Sequence, residues 1–268
     1  MNTNLNCVKL KERNTADKTM FKKDFIITEK NADEYIVKIG AFIKGQVDTA
    51  NRKGVVLGMS GGIDCSVAAA LCHAAKVPAL LVMLPDGKDM QRTKSMQHAM
   101  LLIEKFGFEH RTIDIGKICK GCETAAGELS DLSKMNIRPR VRMTVLYSLA
   151  QTMQRFVLGT GNLSERLIGY FTKWGDGASD LNPLGMLTKN EVRILARALS
   201  VPREIVEKPP SAGLYDGQTD ETELGITYAQ IDAYALTGAS GDASVDEKIE
   251  NRINMSLHKH NPIPVFKG

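Results

Sequence analysis

Val55-Val56-Leu57-Gly58-Met59-Ser60-Gly61-Gly62-Ile63-Asp64-Cys65-Ser66 is the stretch from which the fold is read. A short apolar run ends in Ser-Gly-Gly, and an Ala- and Val-rich segment at helical spacing continues from Ile63 to Lys76. That pattern predicts a buried strand turning directly into a helix. In open α/β sheets ligands bind beyond the carboxyl ends of the strands, where helix N-termini aim amides outward. Gly61 and Gly62 let the backbone approach a phosphate, and the Ser60 hydroxyl adds a donor. Asp64 falls in the first helical turn, where its carboxylate would repel a pyrophosphate unless a divalent cation lay between them. Asp64 is therefore read as a Mg²⁺ ligand. A Walker A loop is excluded, because Ile63 stands where that loop requires lysine.

Outward from this loop, strands and helices alternate. A helical pattern from Asn31 to Val47 precedes it. Ala79 to Met83 reads as a second buried strand closed by Pro85-Asp86-Gly87, and Lys94 to Phe106 as amphipathic helix. His110 to Ile115 forms a third strand, Arg140 to Arg155 a helix, and Phe156 to Leu158 a fourth strand running into Gly159-Thr160-Gly161. Thr188 caps a helix reaching Leu199, with Glu191 at the capping-box position. The last helices run from Gly225 to Leu236 and from Asp246 to His258. Strands apolar on both faces, alternating with helices, predict an α/β fold: a doubly wound parallel sheet flanked by helices. Residues 1–30 read as a polar, loosely held N-terminal extension, and residues 31–268 as a single domain.

Composition narrows the function classes. Hydrophobic residues make up 43% and charged ones 25% of 268 residues, as in an ordinary globular protein. A net charge of +4 suits a polyanionic small molecule and falls short of a nucleic-acid binder. The longest apolar run, Val77 to Leu84, is too short to cross a bilayer, and the N-terminus carries no signal-peptide pattern. A cytoplasmic location is expected. Cys119 and Cys122 form a CxxC, open to a zinc or a redox reading. Neither a second pair nor nearby histidines follow, so two helix-flank cysteines are the plainer reading. Gly159 to Ser164 nearly matches the dinucleotide-binding fingerprint, but serine replaces its third glycine.

Val55 to Ser66 resembles the signature of the N-type ATP pyrophosphatases, which have the adenine nucleotide alpha hydrolase-like fold and cleave ATP to AMP and pyrophosphate. That family usually has serine where this chain has Cys65, a weaker hydrogen-bond donor. Further motifs are similar to those of NAD synthetases: Gly159-Thr160-Gly161-Asn162-Leu163-Ser164-Glu165, then Gly169 through Leu184, then Lys208-Pro209-Pro210-Ser211-Ala212-Gly213-Leu214 and Gln218-Thr219-Asp220-Glu221. The resemblance spans roughly residues 31 to 262. It implies ATP-dependent amidation of deamido-NAD by ammonia through an acyl-adenylate, in a homodimer that needs neither nucleic acid nor membrane.

The same resemblance assigns roles. Gly58, Met59, Ser60, Gly61, Gly62, Ile63, Asp64 and Cys65, with Thr160, Lys189 and Ser211, would bind ATP. Arg140, Lys173, Asp180, His258 and Lys259 would bind deamido-NAD. Asp64 and Glu165 would hold Mg²⁺, and Asp64 and Lys189 would serve catalysis. Bland readings stand beside several of these. Glu165 in a first helical turn complements the helix dipole, and Lys189 reads equally as a solvated surface lysine. Arg138, Arg140 and Arg142 would sit at a solvated helix start, where cations are poorly placed. Tyr147 and Phe171 are as fit for core packing as for stacking on a ring. His258 and His260, two residues apart, do not share a helical face, which argues against zinc.

Ammonia is expected as the nitrogen source, because the fifty residues before the loop are too few for a glutaminase domain, unless a separate glutaminase subunit docks. Two other classes share the first loop. A tRNA-modifying pyrophosphatase should show a basic face, and a nucleotide-sensing module would not need both Asp64 and Glu165.

Overall fold

The computed structural model describes residues 21–87, 93–208 and 220–266. Helix α1 (Ala32–Thr49) leads into strand β1 (Val55–Gly58), helix α2 (Ile63–Ala74), strand β2 (Ala79–Met83), helix α3 (Lys94–Phe106) and strand β3 (Glu109–Thr112). Helices α4 (Gly116–Ala126) and α5 (Asp131–Met153) precede strand β4 (Phe156–Val157). Six helices follow: α6 (Leu163–Leu167), α7 (Lys189–Ala198), α8 (Arg203–Val206), α9 (Asp220–Leu224), α10 (Tyr228–Thr237) and α11 (Ala243–His260).

The strands form one parallel sheet in the order β3-β2-β1-β4. β1 is therefore central, and the carboxyl ends of β1 and β4 lie side by side. Side chains alternate across the sheet. Val55, Leu57, Leu81 and Met83 enter a core with α1, α2, α3 and α7. Val56, Leu80 and Val82 point the other way, onto Cys119 of α4 and Val141, Met143 and Leu146 of α5. Helices thus cover both faces, and the sheet is doubly wound as the sequence implies. β3 departs from the expected pattern: its four residues are polar and exposed throughout. A charged strand at a sheet edge discourages pairing with a further chain.

Three further expectations need correction. α4 falls where no helix is expected. α5 begins at Asp131 rather than Arg140, and Pro139 lies inside it. Ser130 starts this helix, its hydroxyl accepting from the Ser133 amide at 3.2 Å. The described part of the polar N-terminal stretch is packed rather than loosely held. Phe21 and Ile27 are buried, the Ile27 amide donates to Glu191 at 2.8 Å, and Lys23 pairs with the same carboxylate.

Beyond β4 lies a separate apolar cluster. Leu163 and Leu167 of α6, Tyr228 and Ile231 of α10, and Ile249 and Ile253 of α11 meet there, together with Phe21. It brings the C-terminal helix beside the turn that follows β4. Among the described residues, no helix is long and apolar enough to cross a membrane.

Candidate active site

The turn after β1 is built for close approach. Gly61 has φ +73°, and a Cβ there would lie 1.9 Å from the Ser95 carbonyl oxygen, so only glycine fits. Gly62 is the N-cap of α2, and no side chain caps that helix. The first-turn amides of α2 are thus left for an anion. Met59 extends the ladder, its amide donating to Val82 at 2.8 Å. Gly58 stops the strand under Leu146 of α5. Ile63 and Cys65 face the core.

Cys65 belongs to the loop's internal bonding. Its Sγ lies 3.3 Å from Ser60 Oγ and donates to Gly62 O at 3.2 Å. Ser66 is fully buried and donates to the same carbonyl at 2.7 Å, so its hydroxyl is committed within α2.

Asp64, Glu165 and Lys189 come together from three separate elements. Lys189 Nζ reaches Asp64 Oδ2 at 2.6 Å and Glu165 Oε1 at 3.1 Å. The lysine side chain is only 3% exposed, against 17% and 19% for the two acids. Lys189 is therefore no surface lysine. Its ammonium also sits 5.0 Å from the centroid of the Tyr228 ring. Burial works against its charge, but the two carboxylates outweigh it and hold the ammonium above its usual pKa. Burial pushes the Glu165 carboxyl up, Lys189 opposes this, and Asp64 adds to it.

Local capping explains why these side chains stand where they do. Asn162 caps α6: its side chain accepts from the Glu165 amide at 2.9 Å, and Glu165 Oε2 accepts from the Asn162 amide at 3.3 Å. One Glu165 oxygen completes this capping box while the other meets Lys189, so the capping and site readings both hold. Asn162 Nδ2 donates to Asp64 Oδ1 at 2.9 Å, tying the turns after β1 and β4 together. Thr188 and Glu191 form a second capping box at the start of α7, and buried Asp232 accepts from the Asn190 amide at 2.9 Å. α7 thus spends its N-terminal amides internally and presents Lys189 instead. Behind Glu165, the Tyr228 hydroxyl donates to Asp220 at 2.9 Å and Tyr170 to Glu223 at 2.9 Å.

Two cavities occur among the described residues. One, of about 370 Å³, lies at the ends of β2 and β3 and is lined by Met83, Met96, Gln97, Met100 and Thr112. The other, of about 250 Å³, opens beside Glu165 and includes Thr160, Phe171, Asp176 and His260.

The residues expected to bind a dinucleotide are spread over several elements, and Lys259 lines the cavity beside Glu165. Arg140 is exposed and donates to Lys173 O at 3.3 Å. Lys173 in turn donates to the His258 backbone oxygen. Lys259 is held by the carbonyls of Gly169 at 2.6 Å and Phe171 at 2.7 Å. Asp180 accepts from the Val157 amide at 2.7 Å. The arginine cluster lies in the middle of α5, not at a helix start. Arg138 pairs with Asp86 and Arg142 donates to Leu84 O at 3.1 Å, which leaves Arg140 facing solvent. Tyr147 packs against the α4–α5 core, as its helical spacing allowed. Ser211 falls outside the described residues.

Sequence reasoning missed Asn162, Tyr228 and Lys208. Lys208 Nζ donates to Ser95 Oγ at 2.9 Å, on the residue whose carbonyl crowds Gly61. Only the positive charge of Lys208 at the head of its motif hinted at this. Cys119 and Cys122 lie within α4, one buried and one exposed. Burial raises the Cys119 thiol pKa, the reverse of a redox nucleophile. No cluster of three or more metal-binding side chains occurs among the described residues.

A glycine turn opening onto uncapped helix amides, with two carboxylates and a buried lysine beside it, defines the adenine nucleotide alpha hydrolase type of α/β protein. Known proteins narrow this class. The family model for NAD synthase matches residues 35–263. The chain is 40% identical over 241 residues to the NH(3)-dependent NAD(+) synthetase of Archaeoglobus fulgidus, covering 88% of this chain and 98% of that one. Among solved structures it is similar to an NMN synthetase from Francisella tularensis, with TM-score 0.84 and 36% identity over 91% of this chain and all (100%) of that one. It is also similar to the NH3-dependent NAD synthetase of Campylobacter jejuni, with TM-score 0.76 and 26% identity over 88% of this chain and 99% of that one. The chain belongs to the NAD synthase family and is an enzyme of NAD biosynthesis, a ligase.

Proposed function

We propose that the enzyme amidates deamido-NAD with ammonia at the expense of ATP, through an acyl-adenylate. The observation that carries this is the meeting of Asp64, Glu165 and Lys189 beside the uncapped start of α2. The loop amides would take the ATP phosphates, and the cavity lined by Met83 and Gln97 suits the adenine ring. The nicotinate carboxylate attacks the α-phosphorus, forming a P–O bond and breaking the bond to pyrophosphate. Ammonia then attacks the acyl carbon, the C–O bond to AMP breaks, and one proton leaves the nitrogen.

Asp64 and Glu165 fit Mg²⁺, which usually takes one or two carboxylates and completes its shell with phosphate oxygens and waters. When bound, Mg²⁺ would neutralise charge gathering on the leaving pyrophosphate. Lys189 bridges the two acids; with ATP bound, the same ammonium would turn to a phosphate oxygen. No side-chain nucleophile is required, so rate comes from positioning and preorganised charge. Thr160 and Ser211 belong to the ATP half of the proposal, and Arg140, Lys173, Asp180, His258 and Lys259 to the dinucleotide half. Lys259 would act there by fixing the Gly169–Phe171 backbone.

Homodimer formation is part of the proposal, supported by exposed Leu132 and Trp174 (68% and 60% exposed) near the Asn136–Thr172 contact; sedimentation velocity reads it. A cytoplasmic location is part of the proposal. A second reading, with nicotinate mononucleotide as the acid, rests on the likeness to NMN synthetase. Parallel incubations with ATP, Mg²⁺, ammonium and either acid decide between them. NAD, AMP and pyrophosphate in equal amounts from deamido-NAD are expected; preferential turnover of the mononucleotide would replace the first reading with the second.

A further inference from the structure

Burial lowers the pKa of three lysines among the described residues: Lys23, Lys208 and Lys259. Two of them are compensated. Lys23 pairs with Glu191, and Lys259 serves the carbonyls of Gly169 and Phe171. Lys208 has one partner, the neutral Ser95 hydroxyl at 2.9 Å. Among the described residues no carboxylate pairs with it, and the one titratable side chain that acts on its charge is the Cys65 thiol. An ammonium drawn partly out of water without a counter-charge costs free energy. Two of its three N–H donors are left for another acceptor.

Ser95 sets where this ammonium stands. A Cβ on Gly61 would lie 1.9 Å from the Ser95 carbonyl oxygen and 3.1 Å from the Ala99 amide nitrogen, so the start of α3 lies directly against the phosphate loop. That helix has no acid in its first turn. Burial first, then the charges of Lys208 and Lys94, lower the His98 pKa, with Glu204 opposing; this flank of the loop is electropositive. The other flank is different, because there Lys189 is held by Asp64 and Glu165. The uncapped amides of α2 thus have a paired cation on one side and an unpaired one on the other.

Resting on the functional reading above, we propose that Lys208 is a catalytic cation of the adenylation step, its Nζ donating to the pyrophosphate that leaves ATP. As the bond from the α-phosphorus to the bridging oxygen breaks, its electron pair goes to pyrophosphate. A preorganised ammonium is worth most where that charge gathers. Lys208 gives up no proton and remains an ammonium throughout.

The test is product inhibition of the full chain, with Mg²⁺ in excess and either inorganic pyrophosphate or AMP added. Lys208→Met is expected to raise the pyrophosphate inhibition constant about tenfold, the lower end of what a hydrogen bond to a charged group contributes. It should lower kcat/KM for ATP at least as far and leave the AMP constant within twofold. Lys208→Arg keeps the charge and is expected to stay within threefold of wild type. Ser95→Ala removes the partner of Lys208 but not its ammonium, and should leave the pyrophosphate constant within twofold. If Lys208→Met does not fold, Lys208→Gln supplies the same comparison. Equal losses in Lys208→Met and Ser95→Ala would make Lys208 a tether for α3 and overturn the proposal. AMP and pyrophosphate from wild type, with an unchanged pyrophosphate constant in Lys208→Met, overturn this assignment alone. A wild-type protein that releases ADP and phosphate instead overturns the functional reading, and this assignment with it.

Discussion

The two halves of the site are built in opposite ways. The phosphate half is compact: Asp64, Glu165 and Lys189 project from the starts of three helices, touch one another, and are nearly closed to solvent. The pyridine half is open. Its expected contacts, Arg140, Lys173 and His258, lie on α5, a long loop and α11, and they hold one another chiefly through backbone carbonyls. A buried cluster of charges tolerates little change, because removing one member strands the rest in a poor dielectric. An exposed rim of cations tolerates more, since water replaces each lost contact. Variants should therefore be punished far more heavily in the first half than in the second.

The largest expected effect is on Asp64. Asp64→Asn removes the carboxylate that both Lys189 and Asn162 hold, and turnover should fall by roughly 10³-fold, the scale of losing a preorganised electrostatic contact. Steady-state assays with Mg²⁺ in excess measure it; near-normal turnover would break the contrast between the halves. Arg140→Gln, its counterpart on the rim, should mainly raise the KM for the pyridine substrate and leave kcat within a few-fold.

Lys189→Met tests the same cluster through stability. With the ammonium gone, two buried acids face each other unpaired, and unfolding free energy should drop by about 3 kcal/mol. Urea titrations with and without Mg²⁺ check this, with the cation restoring part of the loss. A midpoint unchanged in the absence of Mg²⁺ would mean that the three groups are not coupled.

A smaller effect concerns pH. The His260 pKa falls from 6.5 to about 4 on burial. The unfolded chain then binds more protons across that window, so stability is full above pH 6.5 and is lost as pH falls towards 4. His260→Gln should lose less stability than wild type between pH 6.5 and 4 in thermal melts. Parallel profiles would show that the ring is not held neutral.

The smallest effect expected is at Cys65. Its thiol is turned inward onto Ser60 and Gly62 O, and serine can make both contacts. Cys65→Ser should keep activity within about twofold, since a neutral hydrogen bond is worth only about 1 kcal/mol. A large loss would place the thiol itself on the phosphate.

What the sequence made legible follows the same division. The Asp64–Glu165–Lys189 cluster was readable because two of its members sit at a fixed offset from a strand end, Asp64 after β1 and Glu165 after β4, while Lys189 follows the Thr188 cap. Neighbouring strands then bring those ends together without further information. Asn162 escaped notice because its bond to Asp64 depends on the parallel register of β1 and β4, which no local pattern states. α5 was misread because proline disfavours helix interiors, yet Pro139 lies inside that helix against Gly175. β3 was foreseen but carried three residues too far, to Ile115 rather than Thr112, and misjudged in burial, since its edge position depends on strand order. The pyridine half was nearly invisible to residue patterns alone, because it depends on how α11 docks against the turn after β4.

The proposed reaction transfers the adenylyl group of ATP to a pyridine carboxylate. The most direct measurement uses substrate labelled with ¹⁸O in that carboxylate and mass analysis of the products. One labelled oxygen in AMP and none in pyrophosphate is the result expected. Unlabelled AMP, or ADP and phosphate in place of AMP and pyrophosphate, would contradict it.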